Sequence, residues 1–363
     1  MYPILRPLLF RLDPERAHQL TLNALRLAGV FAPAHWFLAQ VYSAPSKPVE
    51  AFGLTFRNPV GLAAGYDKDG VAIRGLETLG FGHIEIGTVT SLPQPGNPKP
   101  RIFRLVEDEG VINRMGFPSL GTEFVQTRLD PGNKVTIWER VLGFPSRKAA
   151  KPRQKRQVIL GVNIGRNKNT PSEEAVFDYL SLLQNFAPLA DYLTINISSP
   201  NTPGLRRLQE RDELERLLTH LHKQRLLEQE RLKKRVPLLV KLAPDLSAGE
   251  MDDALDVILR TRMDGVIATN TTVARQGLRS TYQSESGGLS GGPLRVQSEA
   301  ALGQIVKRLD GKLPIVSVGG IMSPVDAKRR LDMGAALVQV YTGLVYHGPG
   351  LVKEILKGLA SPA

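Results

Sequence analysis

Between Pro59 and Tyr341 the chain alternates short apolar runs with longer stretches of helical periodicity. The runs Pro59–Ala64, His83–Thr88, Val158–Asn163, Tyr192–Ile197, Pro237–Leu242, Gly265–Thr269, Pro314–Val318 and Ala336–Tyr341 predict eight strands. Most are followed by an amphipathic pattern: Gly70–Leu79, Ser172–Phe186, Arg211–Lys233, Ala248–Thr261, Val296–Arg308 and Pro324–Asp332, with a last helix at Gly350–Gly358. Strands that are apolar almost throughout, separated by helices, predict an α/β protein whose parallel sheet is covered on both faces. Eight such units over roughly 300 residues predict a closed (β/α)8 TIM barrel. An open doubly wound sheet is the competing arrangement.

The first 45 residues follow another pattern. Asp13-Pro14 is a helix start, an N-cap residue followed by proline at the first helical position. Ala17, Leu20, Ala24, Leu25 and Ala28 recur at helical spacing, and Gly29 reads as the stop. Pro33 opens a second helix carrying Trp36, Phe37 and Val41, and Pro45 and Pro48 read as a linker. This predicts a helical pair, 1–45, ahead of a barrel domain, 46–363. The pair either packs on the barrel as an appendage or lies in a membrane interface. No uninterrupted run of about 18 apolar residues predicts a spanning helix. Met1–Leu12, broken by Arg6, Pro7 and Arg11, does not read as a signal peptide.

Composition narrows the chemistry. The 363 residues include no cysteine, which excludes disulfides, thiolate metal sites, iron–sulfur clusters and a cysteine nucleophile. Lys and Arg number 47 against 35 Asp and Glu, a net charge of +12. Part of that excess is local: Arg147, Lys148, Lys151, Arg153, Lys155 and Arg156 crowd one stretch with Pro145 and Pro152 and no acid. That stretch therefore reads as an exposed basic surface insertion. No aromatics are interleaved to stack bases, so a solvated loop is favoured over a nucleic-acid patch.

A barrel puts its chemistry at the C-terminal ends of its strands. After the first strand stands Ala64-Gly65-Tyr66-Asp67-Lys68-Asp69. Lys68 suits an anion or a carbonyl, and Asp69 suits the cap of the next helix. After the second comes a long, proline-rich loop holding Asn97–Arg104 and Asn113–Phe117, whose aromatics and turn residues predict order. The third ends at Asn163. The fourth runs into Asn196-Ile197-Ser198-Ser199-Pro200-Asn201-Thr202-Pro203-Gly204, where apolar burial gives way to amides and hydroxyls. Several Asn can read a small planar polar ring. A serine there is a base or nucleophile only with an activating partner, and no G-x-S-x-G motif is present. Lys241 stands inside the apolar fifth strand, a costly position unless it meets an anion. Thr269-Asn270-Thr271-Thr272 closes the sixth. Gly319-Gly320 before a helix starting near Ser323-Pro324, and a second loop, Gly287–Gly292, predict a phosphate site. The six histidines show no ligand spacing, so no metal is expected. The residues alone reach a phosphate-bearing ligand beside a planar polar substrate. A cofactor-free lyase or isomerase of a phosphorylated metabolite, and a basic binding protein using residues 147–156, remain open at this point.

Seven segments carry a resemblance: RLDPERAH at Arg11–His18, AGYDK at Ala64–Lys68, NRMGF at Asn113–Phe117, GVNIGRNK at Gly161–Lys168, NISSPNTPGLR at Asn196–Arg206, ATNTT at Ala268–Thr272 and SVGGI at Ser317–Ile321. From about Leu12 onward the chain resembles the membrane-associated, quinone-dependent (class 2) dihydroorotate dehydrogenases. The resemblance implies oxidation of dihydroorotate to orotate in pyrimidine biosynthesis, with bound FMN and a membrane quinone as acceptor. It implies FMN contacts at Ala63, Ala64, Gly65, Thr88, Asn163, Asn196, Lys241, Thr269, Gly291, Gly320, Tyr341 and Thr342. It implies substrate contacts at Lys68, Asn113, Arg114, Met115, Gly116, Phe117, Asn196, Asn201, Asn270 and Thr271, with the 113–117 loop closing over the ring. Ser199 would be the base, its proton relayed through Thr202 and a water. The absence of cysteine agrees with that class, since the soluble relatives use cysteine as base. His18, Arg104 and Tyr341 would line a quinone tunnel framed by the N-terminal helices. Arg6, Arg11, Arg16 and Arg26 would face anionic headgroups on the cytoplasmic side of the cell membrane. No nucleic acid and no obligate protein partner are expected.

Overall fold

The computed structural model describes residues 2–130 and 156–360, so the basic insertion lies outside the described residues except for its C-terminal edge. Eight strands close into one barrel in the order β3 (Val60–Leu62), β4 (His83–Val89), β7 (Ile159–Ile164), β8 (Tyr192–Asn196), β9 (Leu238–Leu242), β10 (Gly265–Ala268), β12 (Ile315–Val318), β13 (Leu337–Val340) and back to β3. Every neighbouring pair is parallel. All eight lie within or beside the predicted runs. The outward residues, such as Ile84, Val162, Ile195 and Val240, join one large core with the surrounding helices.

The barrel axis is less apolar than its wall. His83, Glu85, Asn163, Thr194, Lys241 and Gln339 are all buried there. Below them a hairpin, β1 (Val49–Ala51) and β2 (Leu54–Phe56), packs Phe52 and Phe56 against Tyr192, Leu239 and Ile267 and stops the N-terminal end.

Four features differ from the sequence expectations. The N-terminal segment has three helices, not two: α1 (Tyr2–Arg11), α2 (Pro14–Val30) and α3 (Ala32–Val41). Helix α1 forms despite Pro7 because the barrel holds it. Arg6 donates to the Tyr346 carbonyl, and Phe10 meets the Tyr346 ring edge-on at 5.4 Å. Gly29 does not stop its helix. It is a point of close approach to α4 (Ile73–Glu77), where an added Cβ would lie 2.8 Å from the Gly75 nitrogen. Asp69 does not cap α4. Asp67 accepts from Val71 and Ala72 N–H, while Asp69 accepts from Leu120 N–H across the mouth. Lastly, the long loop after β4 contains β5 (Ile102–Leu105) and β6 (Gly110–Asn113), and the Gly287–Gly292 segment contributes β11 (Gly288–Gly291) to the same antiparallel sheet. That sheet roofs one side of the barrel mouth. Beyond these, the helices are α5 (Gly121–Leu129), α6 (Ala175–Phe186), α7 (Arg211–Leu232), α8 (Ala248–Arg260), α9 (Arg295–Leu309), α10 (Pro324–Asp332), α11 (Thr342–His347) and α12 (Leu351–Ala360).

Candidate active site

The strand ends and the roof enclose a cleft of about 1090 Å³, open mouth included. Its lining includes Ala63, Ala64, Gly65, Lys68, Thr88, Asn113, Met115, Gly116, Phe117, Asn196, Ser199 and Asn201. Lys241, Thr269, Asn270, Thr271, Gly291, Gly320, Tyr341 and Thr342 complete the opposite wall and floor. Residues from seven of the eight strand ends thus converge, all but that of β7.

A hydrogen-bonded chain runs under this cleft. Glu85, fully buried in β4, accepts from Asn163 Nδ2 at 2.8 Å, Tyr192 Oη at 3.1 Å, Thr194 Oγ1 at 3.1 Å and Gln339 Nε2 at 3.0 Å. A carboxylate only accepts, so Asn163 must turn its amide nitrogen down and its oxygen up. That oxygen receives Thr88 Oγ1 at 2.6 Å and Asn196 Nδ2 at 3.1 Å. Asn196 Oδ1 is then left to accept from Asn270 Nδ2 at 3.2 Å. One buried charge therefore sets the orientation of three amides. Asn163 itself lies beneath the cleft rather than on its surface.

The segment after β8 places the Ser199 hydroxyl. Ser199 faces the cleft, and the Asn201 backbone N–H donates to its Oγ at 3.2 Å. Thr202 is buried behind it, and its Oγ1 has no hydrogen-bond partner. Arg206 clamps the loop from outside, donating to the Ser198 carbonyl at 3.1 Å and the Thr271 carbonyl at 3.1 Å and pairing with Asp245 at 2.9 Å. Asn201 Nδ2 donates to the Asn113 carbonyl at 3.0 Å, so the serine loop and the roof close on each other.

Two lysines give the cleft positive charge. Lys68 donates to the Gly65 carbonyl at 3.1 Å; burial pulls its pKa down to about 8, and nearby Arg101 and Lys241 also act against its charge while Asp69 and Glu15 favour it. Lys241 is buried among the strands, and its ammonium has no hydrogen-bond acceptor among the described residues. Burial lowers its pKa and the Glu85 carboxylate opposes that. Across the cleft, the N–H groups of Gly320 and Ile321 likewise have no acceptor among the described residues. Unanswered donors of this kind suit an anionic, acceptor-rich ligand.

Arg114 and the N-terminal residues sit elsewhere. Arg114 is not on the cleft surface: it pairs with Glu285 and lies over the Phe103 ring, 4.6 Å from its centroid. His18 on α2 meets Tyr66 edge-on at 5.0 Å, and Tyr66 meets Tyr341 at 5.8 Å, which links the helices to the cleft floor. Burial depresses the His18 pKa to about 4, so the ring is neutral at pH 7. Arg104 instead secures α1, donating to the Leu9 and Leu12 carbonyls with its guanidinium 4.7 Å from the Phe10 centroid.

Sequence reading missed several contributors. Glu85 and Gln339 are polar residues inside apolar strands, the same signal that singled out Lys241. Arg101 had no local signal. It donates to the Pro95 and Asn97 carbonyls at 2.8 Å and holds Glu15 of α2 at 2.8 and 3.2 Å. Asn97 in turn donates to the Asn201 carbonyl at 3.1 Å.

Fold and cleft together define a (β/α)8-barrel enzyme with its active site at the C-terminal strand ends. The dihydroorotate dehydrogenase family profile matches residues 47–362. A dihydroorotate dehydrogenase (quinone) of Halorhodospira halophila is 47% identical over 364 residues, covering 100% of this chain and 99% of that one. One of Flavobacterium lutescens is 48% identical over 361 residues, covering 99% and 96%. A crystal structure of the Eimeria tenella enzyme in complex with ferulenol superposes with a TM-score of 0.80 at 39% identity, covering 96% of this chain and 90% of that one. The chain belongs to the dihydroorotate dehydrogenase family.

Proposed function

We propose that this enzyme oxidises dihydroorotate to orotate with FMN held in the cleft and passes the electrons to a membrane quinone. The observation that carries the reading is the convergence of Ser199, Lys68 and the amides of Asn113, Asn196, Asn201 and Asn270 beside a set of unanswered donors.

The residues fit FMN. Gly320 and Ile321 offer free N–H groups to a phosphate, and Gly291 and Thr342 stand beside them in the lining. Lys241 offers an unpaired buried cation to the electron-rich edge of an isoalloxazine ring. Ala63, Ala64, Gly65, Thr88, Asn163, Asn196, Thr269 and Tyr341 are the remaining proposed contacts or supports. Bound there, FMN supplies a hydride acceptor for the substrate and an electron donor for the quinone.

The protein supplies position and proton transfer. The Asn amides match the N–H and C=O groups of a dihydropyrimidine ring, and Lys68 matches its carboxylate. Met115, Gly116 and Phe117 cover the ring. Ser199 takes the proton from substrate C5 as its own hydroxyl proton passes into the relay, and the Asn201 N–H steadies the negative charge on its oxygen while that proton leaves. The unpartnered Thr202 hydroxyl gives a water-mediated relay somewhere to send that proton.

Residues 1–45 are proposed as the membrane and quinone segment and 46–363 as the catalytic domain. No helix among the described residues is long and apolar enough to cross a membrane. Yet Leu27, Val30, Phe31 and Trp36 are 66%, 71%, 62% and 65% exposed, more apolar surface than a soluble face needs. Arg11, Arg16 and Arg26 are exposed on the same N-terminal segment, whereas Arg6 faces the barrel. This supports peripheral attachment at an anionic cytoplasmic leaflet, with His18, Arg104 and Tyr341 along the route to the cleft.

Anaerobic mixing with dihydroorotate tests the reading. The flavin band should bleach and recover on addition of a quinone but not of fumarate or NAD. A flavin band that dihydroorotate leaves unchanged would remove the substrate assignment.

A further inference from the structure

Arg330 lies behind the glycine loop with its side chain 0% exposed. Its Nη2 donates to the Gly319 carbonyl at 3.0 Å, the Arg295 carbonyl at 3.1 Å and Ser298 Oγ at 2.7 Å. Ser298 Oγ itself donates to the Gly319 carbonyl at 2.8 Å. Glu299 pairs with the guanidinium at 3.5 Å. A fully buried arginine is costly, and an apolar side chain would fill this space without desolvating a charge.

The direction of these bonds suggests their purpose. In a trans peptide the carbonyl of one residue and the N–H of the next point opposite ways. Two donors hold the Gly319 oxygen outward, into the barrel wall. The Gly320 N–H is thereby turned inward, and it has no acceptor among the described residues. The loop cannot relax by substitution. Gly319 and Gly320 have φ of +109° and +71°, and a Cβ on Gly320 would lie 2.3 Å from Arg295 Cα.

We propose that Arg330 is a positioning residue for the phosphate of the cofactor: from behind the loop it fixes the Gly319 peptide so that the Gly320 N–H meets the anion, and it places a buried cation at the back of that peptide. The proposal rests on the FMN reading above and adds a prediction to it. Arg330 should govern selection for the phosphorylated flavin over riboflavin, without touching either.

The test is flavin exchange in the full-length holoenzyme. Riboflavin is titrated against bound FMN, and the bound fractions give the ratio of the two dissociation constants. The wild-type protein should prefer FMN strongly. Arg330→Met should lower that preference about 10- to 100-fold, the worth of a hydrogen bond to a charged group. Arg330→Lys should restore part of it, and Ser298→Ala should lower it by less. A purely structural role would loosen both flavins together and leave the ratio alone. An unchanged ratio in Arg330→Met overturns the proposal; if that variant does not fold, an unchanged ratio in Ser298→Ala does so. A wild-type protein that does not distinguish FMN from riboflavin overturns the phosphate-site reading itself.

Discussion

At the barrel mouth, most buried polar side chains are answered by a neighbour inside the protein; across α1–α3, large apolar side chains stand in solvent. The two regions meet through hydrogen bonds, ion pairs and ring contacts, Phe10 on Tyr346 and His18 on Tyr66 among them. Tyr2 and Arg6 donate to carbonyls of Val345 and Tyr346, Arg104 donates to the end of α1, and Arg101 pairs with Glu15. The contrast shows two kinds of site in one chain. The mouth is organised in advance for a ligand that must be oriented atom by atom, which a buried, satisfied network does well. The helices present the face proposed for the membrane, and such a face needs area more than direction.

The strongest break in that comparison is at Ser199. Ser199→Ala should retain flavin and dihydroorotate but slow flavin reduction by about 10²–10⁴-fold, the usual contribution of a general base. Rapid-mixing absorbance measures it, and an unchanged rate would move the base elsewhere. The helical face should respond in the opposite way. Val30→Asp with Phe31→Asp should weaken binding to anionic vesicles by about 10- to 100-fold, from the area of one or two buried apolar side chains. The rate of flavin reduction by dihydroorotate should not change. Equal loss of both activities would mean the regions are one cooperative unit.

Lys68 sharpens the mouth side. With its pKa near 8 in the free protein, it is mostly charged at pH 7 and loses its proton above that value. The KM for dihydroorotate should therefore rise about tenfold per pH unit beyond pH 8, with kcat little affected. Lys68→Gln should abolish that rise; a rise that persists assigns it to another group. The smallest effect is expected at the seam. Glu15→Gln removes the charge that holds Arg101, and through Arg101 the Asn97 turn over the cleft. The pair is partly exposed, so a loss of only about 3- to 10-fold in kcat/KM for dihydroorotate is expected. Steady-state kinetics with a soluble quinone would read it, and no change would show that the regions are mechanically independent.

Much of this architecture was legible along the chain. Eight apolar runs at regular spacing marked the barrel strands, and the Asn196–Gly204 segment marked a loop on the cleft, because polar residues at strand ends need a reason to be there. Gly319-Gly320 ahead of a helix start marked a part of the cleft lining. Other features were hidden. Asp67 and Asp69 looked equivalent until the roof brought Leu120 N–H to Asp69. Arg114 reads as a substrate residue within NRMGF, but Glu285, far along the chain, draws it away from the cleft.

The sequence alone determined where the eight barrel strands run and which strand ends carry polar clusters. These depend on residue periodicity and on backbone sterics, both local. The tertiary structure decided that α1 folds against Tyr346 and that Gly29 and Gly75 let two helices touch. It also decided that Glu85 orients Asn163, Asn196 and Asn270. Those outcomes depend on closure of the barrel, which brings residues 85, 163, 196, 270 and 339 to one axis. No local pattern encodes which distant donor a buried carboxylate will meet.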